Sequence, residues 1–565
     1  MKTIRLLLFI CFCSGGIHSL AARTLQTNPL VNQWAVHELV LQAQQTYDNP
    51  YTDVQITATF EGSEGSKIST TGYWNGDKQY KVRFTPTKEG QWTYRITSNP
   101  SDAGLQQRGT LQVTSATAQQ HGFVRRDAEH PYHFVYDDGT RYYMWGTTYY
   151  NMVLNALQGD RWKTAIDSAM VYGINKIRVF ANSTKSEKTP YPRQHPFVVT
   201  DDSTIHYDQL DTAYWQALDS IVDYAYQRGM IVDLMPFGYG ADVYGTTTQD
   251  ERYLRYVLAR YAAYPNVIWC LVNEWNYIAR DHGKDKPYWN RLGQLVREED
   301  PWMQRGDYLR PLSIHHQTRV DFQFFPYDWP VHAVVQYGVR NGQGTVTDEW
   351  DNTDPENQPN TPHADRWGNL SITYNRGHNM PVVNDEYGYI GEPRGKSAAT
   401  SPDKETWPPF TREKHRQVSW GIALAGGYGS TGDKNQYADG HPYFSANWHS
   451  GPPEYEDVKH LINFFTRQDI AYWKMQSDNE LIKSGKRAYA LAEPGQQYLF
   501  YAATGGQFEA NIPKGSYQTH LYNPRTGEYQ PHGASQGGLS TFSLPDTTDW
   551  VLYVQASPST QTSTK

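Results

Sequence analysis

The chain has little cysteine: three residues in 565, at Cys11, Cys13 and Cys270. The first two lie in an N-terminal leader, so a mature chain keeps one thiol and we expect no internal disulfide bond. A large exported protein without disulfides is more typical of a bacterial periplasm or cell surface than of animal secretion. Closely spaced Cys and His residues of the kind that bind metals are also lacking. We therefore expect no metal and no cofactor.

Charge is scarce as well. Charged residues make up 19% of the chain and the formal net charge is −8, so there is no basic stripe to neutralise phosphates. A nucleic-acid partner is therefore not expected. The hydrophobic fraction of 38% still indicates a folded protein rather than a disordered one. These numbers leave the oligomeric state open.

Long hydrophobic runs are lacking outside the N-terminus. There, residues 1–5 carry two positive charges, residues 6–13 form an apolar run too short to span a bilayer, and residues 19–21 include small residues suited to cleavage. We predict a signal peptide over residues 1–22, and export to the periplasm or cell surface of a Gram-negative bacterium. Attachment of a lipid anchor at Cys13 is an alternative, although the residues before it match a lipobox poorly. No membrane span is expected in the mature chain.

Aromatic residues, by contrast, are abundant. They form 14% of the chain, with 43 Tyr and 18 Trp. Sugars stack their C–H faces on aromatic rings, while Tyr and Trp keep a polar group for hydrogen bonds. Large β-rich proteins also use aromatics in their cores. The total nevertheless favours a carbohydrate as the partner.

Two regions alternate polar and apolar residues with a period of two. In residues 27–116, runs such as Tyr80–Phe84 are separated by turn signals such as Asn75-Gly76-Asp77. The alternation returns in residues 483–557. Each region predicts a small β-sandwich, the first of them Ig-like.

Between them, residues 121–478 alternate apolar strands with amphipathic helices. This alternation of strands and helices predicts a (β/α)₈ TIM barrel. The expected fold class is therefore α/β, with a central barrel flanked by two small β-sandwich domains. The predicted barrel strands are Tyr142–Gly146, Ile174–Phe180, Met230–Pro236, Val267–Val272, Leu312–His315, Ala333–Tyr337, Pro381–Asn384 and Ile422–Gly426.

Two of these strands run into a glutamate. The fourth is followed by Asn273-Glu274, and the seventh by Asp385-Glu386. Barrel enzymes place their chemistry at the carboxyl ends of the strands. Retaining glycoside hydrolysis needs an acid and a nucleophile about 5–5.5 Å apart. Glu274 and Glu386, 112 positions apart (386 minus 274), are the predicted pair.

Two other carboxylates compete with Glu386. Adjacent residues of a strand face opposite ways, so only one of Asp385 and Glu386 is expected to point inward. Glu349, inside a long loop, is a weaker rival.

Polar residues near the strand ends are candidate sugar ligands. Asn273 is expected either to bond a sugar hydroxyl or to cap its strand. Arg178 is expected either to keep Glu386 ionised through its charge or to form a structural ion pair. Tyr337 is a candidate hydrogen-bond donor to the nucleophile. One of His315 and His316 is expected to line the site unless it is a satisfied core group.

Three aromatic residues are candidate stacking platforms for sugar rings: Trp145, Trp275 and Tyr428. Core packing is the alternative for each of them.

Several of these segments resemble a known family. The Asn-Glu pair on the fourth strand with a glutamate on the seventh resembles the large superfamily of retaining (β/α)₈-barrel glycoside hydrolases. Residues 142–148, 312–315 and 384–387 are similar to the apiosidase-like barrel group of Bacteroidota. Residues 72–94 resemble the small β-sandwich that often precedes such barrels, and residues 522–528 the sandwich that follows them.

The resemblance implies Glu274 as the acid/base and Glu386 as the nucleophile. The superfamily often carries a Trp platform at the eighth strand, where this chain has the glycine-rich segment 426–430. The resemblance therefore does not assign the sugar.

The function expected from the sequence is cleavage of a plant or algal polysaccharide or oligosaccharide by an exported retaining glycoside hydrolase. A non-catalytic surface glycan-binding protein on a barrel scaffold is the alternative. A polysaccharide lyase is a third interpretation, which the weak basic content disfavours.

Overall fold

The computed structural model describes most of the chain, with gaps at both ends and in several loops. The described residues are 29–149, 152–182, 195–201, 203–238, 244–303, 309–316, 320–336, 364–387, 389–390, 411–433, 454–485 and 487–557.

The N-terminal domain is a pair of facing β-sheets. A five-stranded sheet has the order β1-β8-β7-β3-β4, and a three-stranded sheet has the order β2-β6-β5. Phe60 and Phe84, one from each sheet, stack at a centroid distance of 3.8 Å between them. Its elements are β1 Leu30–Asn32, β2 His37–Gln42, α1 Pro50–Asp53, β3 Gln55–Glu61, β4 Lys67–Thr71, β5 Tyr73–Trp74, β6 Gln79–Phe84, β7 Gly90–Asn99 and β8 Gln107–Thr114.

A small antiparallel sheet leads from this domain into the barrel. It consists of β9 Val124–Arg126, β10 Phe134–Tyr136 and β11 Arg141–Tyr142.

The centre of the molecule is a barrel of eight parallel strands. Its strands are β12 Trp145–Tyr149, β13 Lys176–Phe180, β16 Ile231–Met235, β17 Val267–Cys270, β18 Leu312–Ser313, β19 Ala333–Val335, β20 Val382–Asn384 and β22 Tyr428–Asp433. Neighbours pair in the order β18-β17-β16-β13-β12-β22-β20-β19. A parallel bridge between His315 and Val334 joins the two ends of that order, next to β18 and β19, and closes the barrel. The predicted fold class is confirmed.

Helices follow most of the barrel strands and cover them. The amphipathic helices among them bury an apolar face of 3.6-residue period, as Leu218, Ile221, Val222 and Ala225 do in α4. The helices are α2 Met152–Ala156, α3 Arg161–Val171, α4 Thr212–Tyr226, α5 Thr247–Tyr261, α6 Trp275–His282, α7 Lys286–Glu299, α8 Ala364–Thr373, α9 Arg412–Leu424 and α10 Glu454–Phe465. Three short strands lie in the connections: β14 Phe197–Val199, β15 Ile205–Leu210 and β21 Tyr389–Ile390.

The position predicted for the eighth strand is wrong. The apolar residues Ile422 to Leu424 complete the buried face of α9, and the strand begins at Tyr428. A short apolar run does not distinguish a buried strand from a buried helix end. Gly426 marks the boundary, because its φ of +75° is left-handed and a Cβ there would collide with the Arg376 guanidinium.

The C-terminal domain again pairs two antiparallel sheets. A six-stranded sheet has the order β23-β25-β26-β31-β28-β29, and it faces a sheet of order β24-β27-β30. Its strands are β23 Gln476–Ser477, β24 Ile482–Ser484, β25 Ala488–Glu493, β26 Gln497–Ala502, β27 Gln507–Ile512, β28 Tyr517–Tyr522, β29 Tyr529–Ser535, β30 Gly538–Ser543 and β31 Trp550–Ala556. In the part of the chain that the structure describes, no helix has the length and apolarity needed to span a bilayer.

Buried ion pairs fasten both flanking domains to the barrel. Arg83 of β6 reaches Asp219 of α4 at 2.7 Å, and Arg260 of α5 bonds the same carboxylate at 2.8 Å. On the other side, Arg416 of α9 binds Asp549 at 2.8 Å, just before β31. Arginine suits such contacts because its planar group bonds carboxylates in a fixed geometry.

Candidate active site at the carboxyl end of the barrel

Glu274 lies where the chain leaves the fourth barrel strand and enters α6. Its backbone is left-handed, with φ 56° and ψ 52°, which is uncommon for a residue with a Cβ. Such a conformation costs about 1–3 kcal/mol and persists only when its surroundings hold it. Here the Glu274 N–H donates to His315 Nδ1 at 3.2 Å, and the Trp275 N–H donates to the His315 carbonyl at 3.1 Å. The end of the fifth strand therefore fixes the turn that presents Glu274.

Glu386 lies two residues beyond the seventh strand and is 6% exposed. Its Oε2 is 3.9 Å from His315 Nε2. His315 Nδ1 accepts a hydrogen from the backbone, so the proton of a neutral ring resides on Nε2, the nitrogen that faces Glu386. The two glutamates thus flank one imidazole ring: the backbone of Glu274 on one side, and the carboxylate of Glu386 on the other.

Asn273 and Arg178 form a second polar pair in this region. Arg178 Nη2 donates to Asn273 Oδ1 at 3.0 Å, and both side chains are buried. A guanidinium has no acceptor, so the amide oxygen must face it and the NH₂ group must face away. The pair fixes the amide of Asn273 in one orientation beside Glu274.

A layer of buried charges lies inside the barrel next to these residues. Lys176 Nζ contacts Asp385 Oδ1 at 2.5 Å and Asp233 Oδ2 at 3.5 Å, and all three side chains have no exposed surface. Ser430 Oγ donates to Asp385 at 2.5 Å, and Arg178 Nε is 3.6 Å from its other oxygen.

The pKa values in this layer reflect a balance of burial and charge. Burial alone raises the pKa of Asp385, but the charges of Lys176 and Arg178 outweigh it and hold that pKa well below its usual range. Burial raises the pKa of Asp233, and Lys176 offsets this only in part because Asp385 repels a second negative charge. Asp385 is therefore the ionised partner of the buried lysine.

This layer resolves the competition between Asp385 and Glu386. The strand ends at Asn384, whose Nδ2 donates to Ser371 of α8, on the outer side of the barrel. Asp385 then points inward to Lys176, and Glu386 reaches towards His315. Beyond the end of the strand, strict alternation no longer applies, so both carboxylates face the interior at different depths, and the prediction that only one of them points inward is wrong.

Trp275 and His316 form an aromatic wall beside Glu274. The Trp275 ring is 6% exposed and meets His316 and Phe324 edge to face at centroid distances of 5.3 and 5.2 Å. Its role as a stacking platform stays a prediction.

Two of the predicted platforms are wrong. Trp145 is fully buried at the first residue of β12, and Tyr428, 1% exposed, is the first residue of β22. Both lie at the amino end of the barrel, where the Tyr428 hydroxyl bonds the ring of His133 at 2.8 Å. The error follows from the misplaced first and eighth strands. Tyr337 and Glu349 lie outside the described residues.

The sequence analysis missed three interior residues: Lys176, Asp233 and Ser430. The signal was present, because Lys176 and Asp233 put charged side chains in strands that are mostly apolar. A charge buried in a strand needs a partner of opposite charge nearby. Among the described residues, no three His, Cys, Asp or Glu side chains are grouped as metal ligands.

Comparison with family models gives three matches along the chain. Residues 30–99 match a "Domain of unknown function (DUF5060)", residues 128–450 match "Apiosidase-like, catalytic domain", and residues 477–555 match "Putative collagen-binding domain of a collagenase". A search among curated proteins found no match.

Solved structures share the architecture. A Bacteroides vulgatus ATCC 8482 protein described as a "putative glycoside hydrolase" aligns with TM-score 0.73 and 22% identity, over 94% of this chain and 100% of its own. A protein described as "Glycoside hydrolase" aligns with TM-score 0.59 and 18% identity, over 79% and 99%. A glycoside hydrolase family 5 structure from the same Bacteroides strain aligns with TM-score 0.57 and 17% identity, over 78% and 95%.

The apiosidase-like match spans more than half of the 565 residues, including Glu274, His315 and Glu386. The chain therefore belongs to the apiosidase-like family, and its barrel has the fold of glycoside hydrolases.

Proposed function

We propose that the protein is a glycoside hydrolase that cleaves a plant or algal polysaccharide or oligosaccharide with retention of configuration. The observation that carries this proposal is the shared histidine. His315 contacts the Glu274 backbone through one ring nitrogen and faces the Glu386 carboxylate with the other. Retaining hydrolysis requires two carboxyl groups that meet across one glycosidic bond.

The proposed roles follow from the surroundings of each glutamate. Glu386 attacks the anomeric carbon, and the protonated Glu274 gives its proton to the leaving oxygen as the glycosidic bond breaks. Glu274 then takes a proton from water, whose oxygen attacks the anomeric carbon and releases Glu386. His315 Nε2 lies 3.9 Å from Glu386 Oε2, which puts a polar ring nitrogen beside the proposed nucleophile.

Asn273 and Trp275 are the proposed sugar contacts nearest to Glu274. The NH₂ group of Asn273 faces away from Arg178 and is oriented to donate to a sugar hydroxyl. The buried indole N–H of Trp275 has no acceptor among the described residues. A sugar oxygen would supply one, which would raise selectivity for a substrate carrying it.

Two measurements on purified protein test this function. Product chromatography on a panel of plant and algal polysaccharides should show cleavage, and NMR should show that the first-formed anomer keeps the substrate's configuration. Initial inversion of that anomer would contradict the role of Glu386. Binding without cleavage, unchanged by substitution of either glutamate, would instead support the non-catalytic alternative.

The predicted export is part of the proposal, since polysaccharides are degraded outside the cytoplasm. Expression of the full chain in a Gram-negative host should give a periplasmic or surface protein lacking residues 1–22. Mass spectrometry of its N-terminus distinguishes this product from a chain that begins at a lipid-modified Cys13. A cytoplasmic product that keeps Met1 would contradict both forms.

A further inference from the structure

A second cavity lies at the opposite end of the barrel from Glu274 and Glu386. It has a volume of about 650 Å³ and opens where the segment leaving the N-terminal domain passes the end of α4. Asn266, the residue before β17, forms part of its wall, whereas Glu274 follows the same strand eight positions later (274 minus 266). Eight residues of extended chain span roughly 25 Å, so this space is separate from the candidate active site.

Three aromatic rings contribute to the wall of this cavity: Trp34, Tyr136 and Tyr226. Each ring is partly exposed, and that of Tyr136 also contacts His121 and Tyr142. The Tyr226 hydroxyl donates to the Trp34 carbonyl at 3.3 Å and ties the N-terminal domain to the barrel at this point. Rings of this kind offer both an apolar face and a polar edge.

The polar part of the wall is made largely of amides. Gln119, Gln120 and Gln227 line the cavity together with Asn266. Each amide offers both donors and acceptors, so the wall complements a ligand that carries many hydroxyl groups.

The charged groups in the wall already have partners. Arg228 Nε bonds Asp167 at 2.6 Å, and His121 Nδ1 lies 2.7 Å from Asp138. A phosphate or carboxylate ligand would have to compete with these carboxylates, which disfavours an anion.

Asn266 adds a buried amide to the wall of the cavity. The residue is only 4% exposed, and its Nδ2 donates to the carbonyls of Met230 at 3.1 Å and Val222 at 3.4 Å. Its Oδ1 is buried and accepts from none of the described residues. A buried acceptor left without a donor is unfavourable, and Asn266 places one in the wall of this cavity.

We propose that this cavity is an auxiliary binding site for a neutral saccharide, separate from the catalytic cleft. The rings would stack on sugar faces, and the glutamine amides of the wall would bond its hydroxyls. The choice of saccharide as the ligand class rests in part on the proposed function. A site at this end of the barrel would hold a polysaccharide chain to the enzyme without taking part in bond cleavage.

The test measures binding of the full chain to soluble xyloglucan, arabinoxylan and galactomannan by affinity electrophoresis. All protein variants in this test carry Glu274→Gln, which slows cleavage. Binding at the candidate active site is therefore the same in every variant. Adding Trp34→Ala should weaken binding to at least one polysaccharide by about tenfold. Equal affinity with and without Trp34, or no binding to any of the three, would overturn the proposal.

A second variant is needed as a check against misfolding of Trp34→Ala. The Trp34 backbone is left-handed, and its carbonyl accepts a hydrogen bond from the Tyr226 hydroxyl. The double change Gln119→Ala and Gln227→Ala removes two exposed amides and should weaken binding to the same polysaccharide. Gln518→Ala, on an exposed position of the C-terminal domain, is the matched control and should leave binding unchanged. Equal binding by the double variant and this control would also overturn the proposal.

Failure of this site and failure of the catalytic proposal are distinguishable. Cleavage of a polysaccharide by the wild-type chain, with binding insensitive to the cavity variants, would remove the auxiliary site alone. Sensitivity of binding to Trp34, without cleavage of any substrate, would remove the catalytic proposal alone.

Discussion

The barrel interior has two levels that treat carboxylates differently. The inner level consists of Lys176, Asp233, Asp385 and Ser430. Its side chains are buried, and its charged groups form ion pairs and hydrogen bonds with one another. The outer level, formed by Asn273, Glu274, His315 and Glu386, lies at the ends of strands four, five and seven. There Glu386 keeps 6% exposure, and Glu274 is partly exposed.

The adjacent residues Asp385 and Glu386 show what this difference means. Asp385 is shorter and directly follows the strand, so its carboxylate stays between Lys176 and Ser430. Glu386 has one more methylene and one more residue of backbone, and its carboxylate faces His315. We infer that the inner level stabilises the barrel while the outer level carries out the reaction.

The largest expected effect is a loss of activity when a carboxylate of the outer level is replaced. Glu386→Gln and Glu274→Gln should each lower kcat by about 10³-fold or more, because each removes one half of a two-carboxyl reaction. Neither should change the free energy of unfolding by more than about 1 kcal/mol, since the amide keeps the shape of the side chain. Initial rates on a cleaved polysaccharide and urea denaturation measure the two effects.

The control for these variants is Glu480→Gln, on an exposed residue between β23 and β24. It should match the wild type in both measurements. Full turnover by Glu386→Gln would show that this carboxylate takes no part in the mechanism. The assignment of catalysis to the outer level and of stability to the inner level would then lack support.

The second effect falls on stability. Asp385→Asn leaves the buried Lys176 without its nearest counter-charge and should cost about 3–5 kcal/mol in the free energy of unfolding. Urea denaturation gives the free energy of unfolding of this variant and of Glu386→Gln at the next position. A large loss in the first and a small one in the second would show that the two adjacent carboxylates have different roles.

Removing the lysine as well sharpens this test. Lys176→Met combined with Asp385→Asn should recover part of the lost stability, because the buried ammonium group that lost its nearest counter-charge is removed with it. If Asp385→Asn were as stable as the wild type, the inner level would not be an ion-pair network of structural importance.

The third effect concerns the residue that touches both glutamates. His315→Ala removes the acceptor of the Glu274 N–H and the ring that faces Glu386, so kcat should fall by about 10²-fold through misplacement of the pair. His315→Asn keeps an acceptor near the position of Nδ1 and should restore part of the loss. Steady-state kinetics of both variants, with pH profiles, measure the effect. Equal activity of the Ala and Asn variants would contradict a positioning role for Nδ1.

The sequence alone predicted much of this arrangement. Strands such as Val267–Cys270 are short continuous apolar runs, and their alternation with amphipathic helices makes them recognisable without a structure. The glutamates were found because each follows such a strand. The eighth strand was misplaced because the apolar run 422–426 fits a helix end as well as a strand, and Tyr428 was consequently assigned to the wrong end of the barrel. Trp145 was assigned to the wrong end because the first strand begins at that residue and not at Tyr142. Which charges pair inside the barrel depends on the strand register, which no local pattern specifies.

The smallest expected effect is a pH dependence outside the barrel interior. Asp219 joins the N-terminal domain to the barrel through Arg260 and Arg83. Burial alone raises its pKa, but the two guanidinium charges outweigh burial and hold the pKa well below its usual range. Asp219 therefore resembles Asp385 rather than Glu386, and the comparison predicts a role in stability alone.

The sign of the effect follows from that lowered pKa. The stabilisation by Asp219 is fully present above its unfolded pKa of about 4, and it is lost as the pH falls towards the folded value, by up to about 1.4 kcal/mol per pH unit. The gap in unfolding free energy between the wild type and Asp219→Asn should therefore be constant from pH 7 to 5 and shrink below pH 4. Urea denaturation across this range measures it, with Asp160→Asn, on the surface, as the control. A gap that stayed constant down to pH 3 would show that the contact between Asp219 and the two arginines is not electrostatic. Asp219 and Asp385 could then no longer be treated alike, as carboxylates that stabilise the fold through ion pairs.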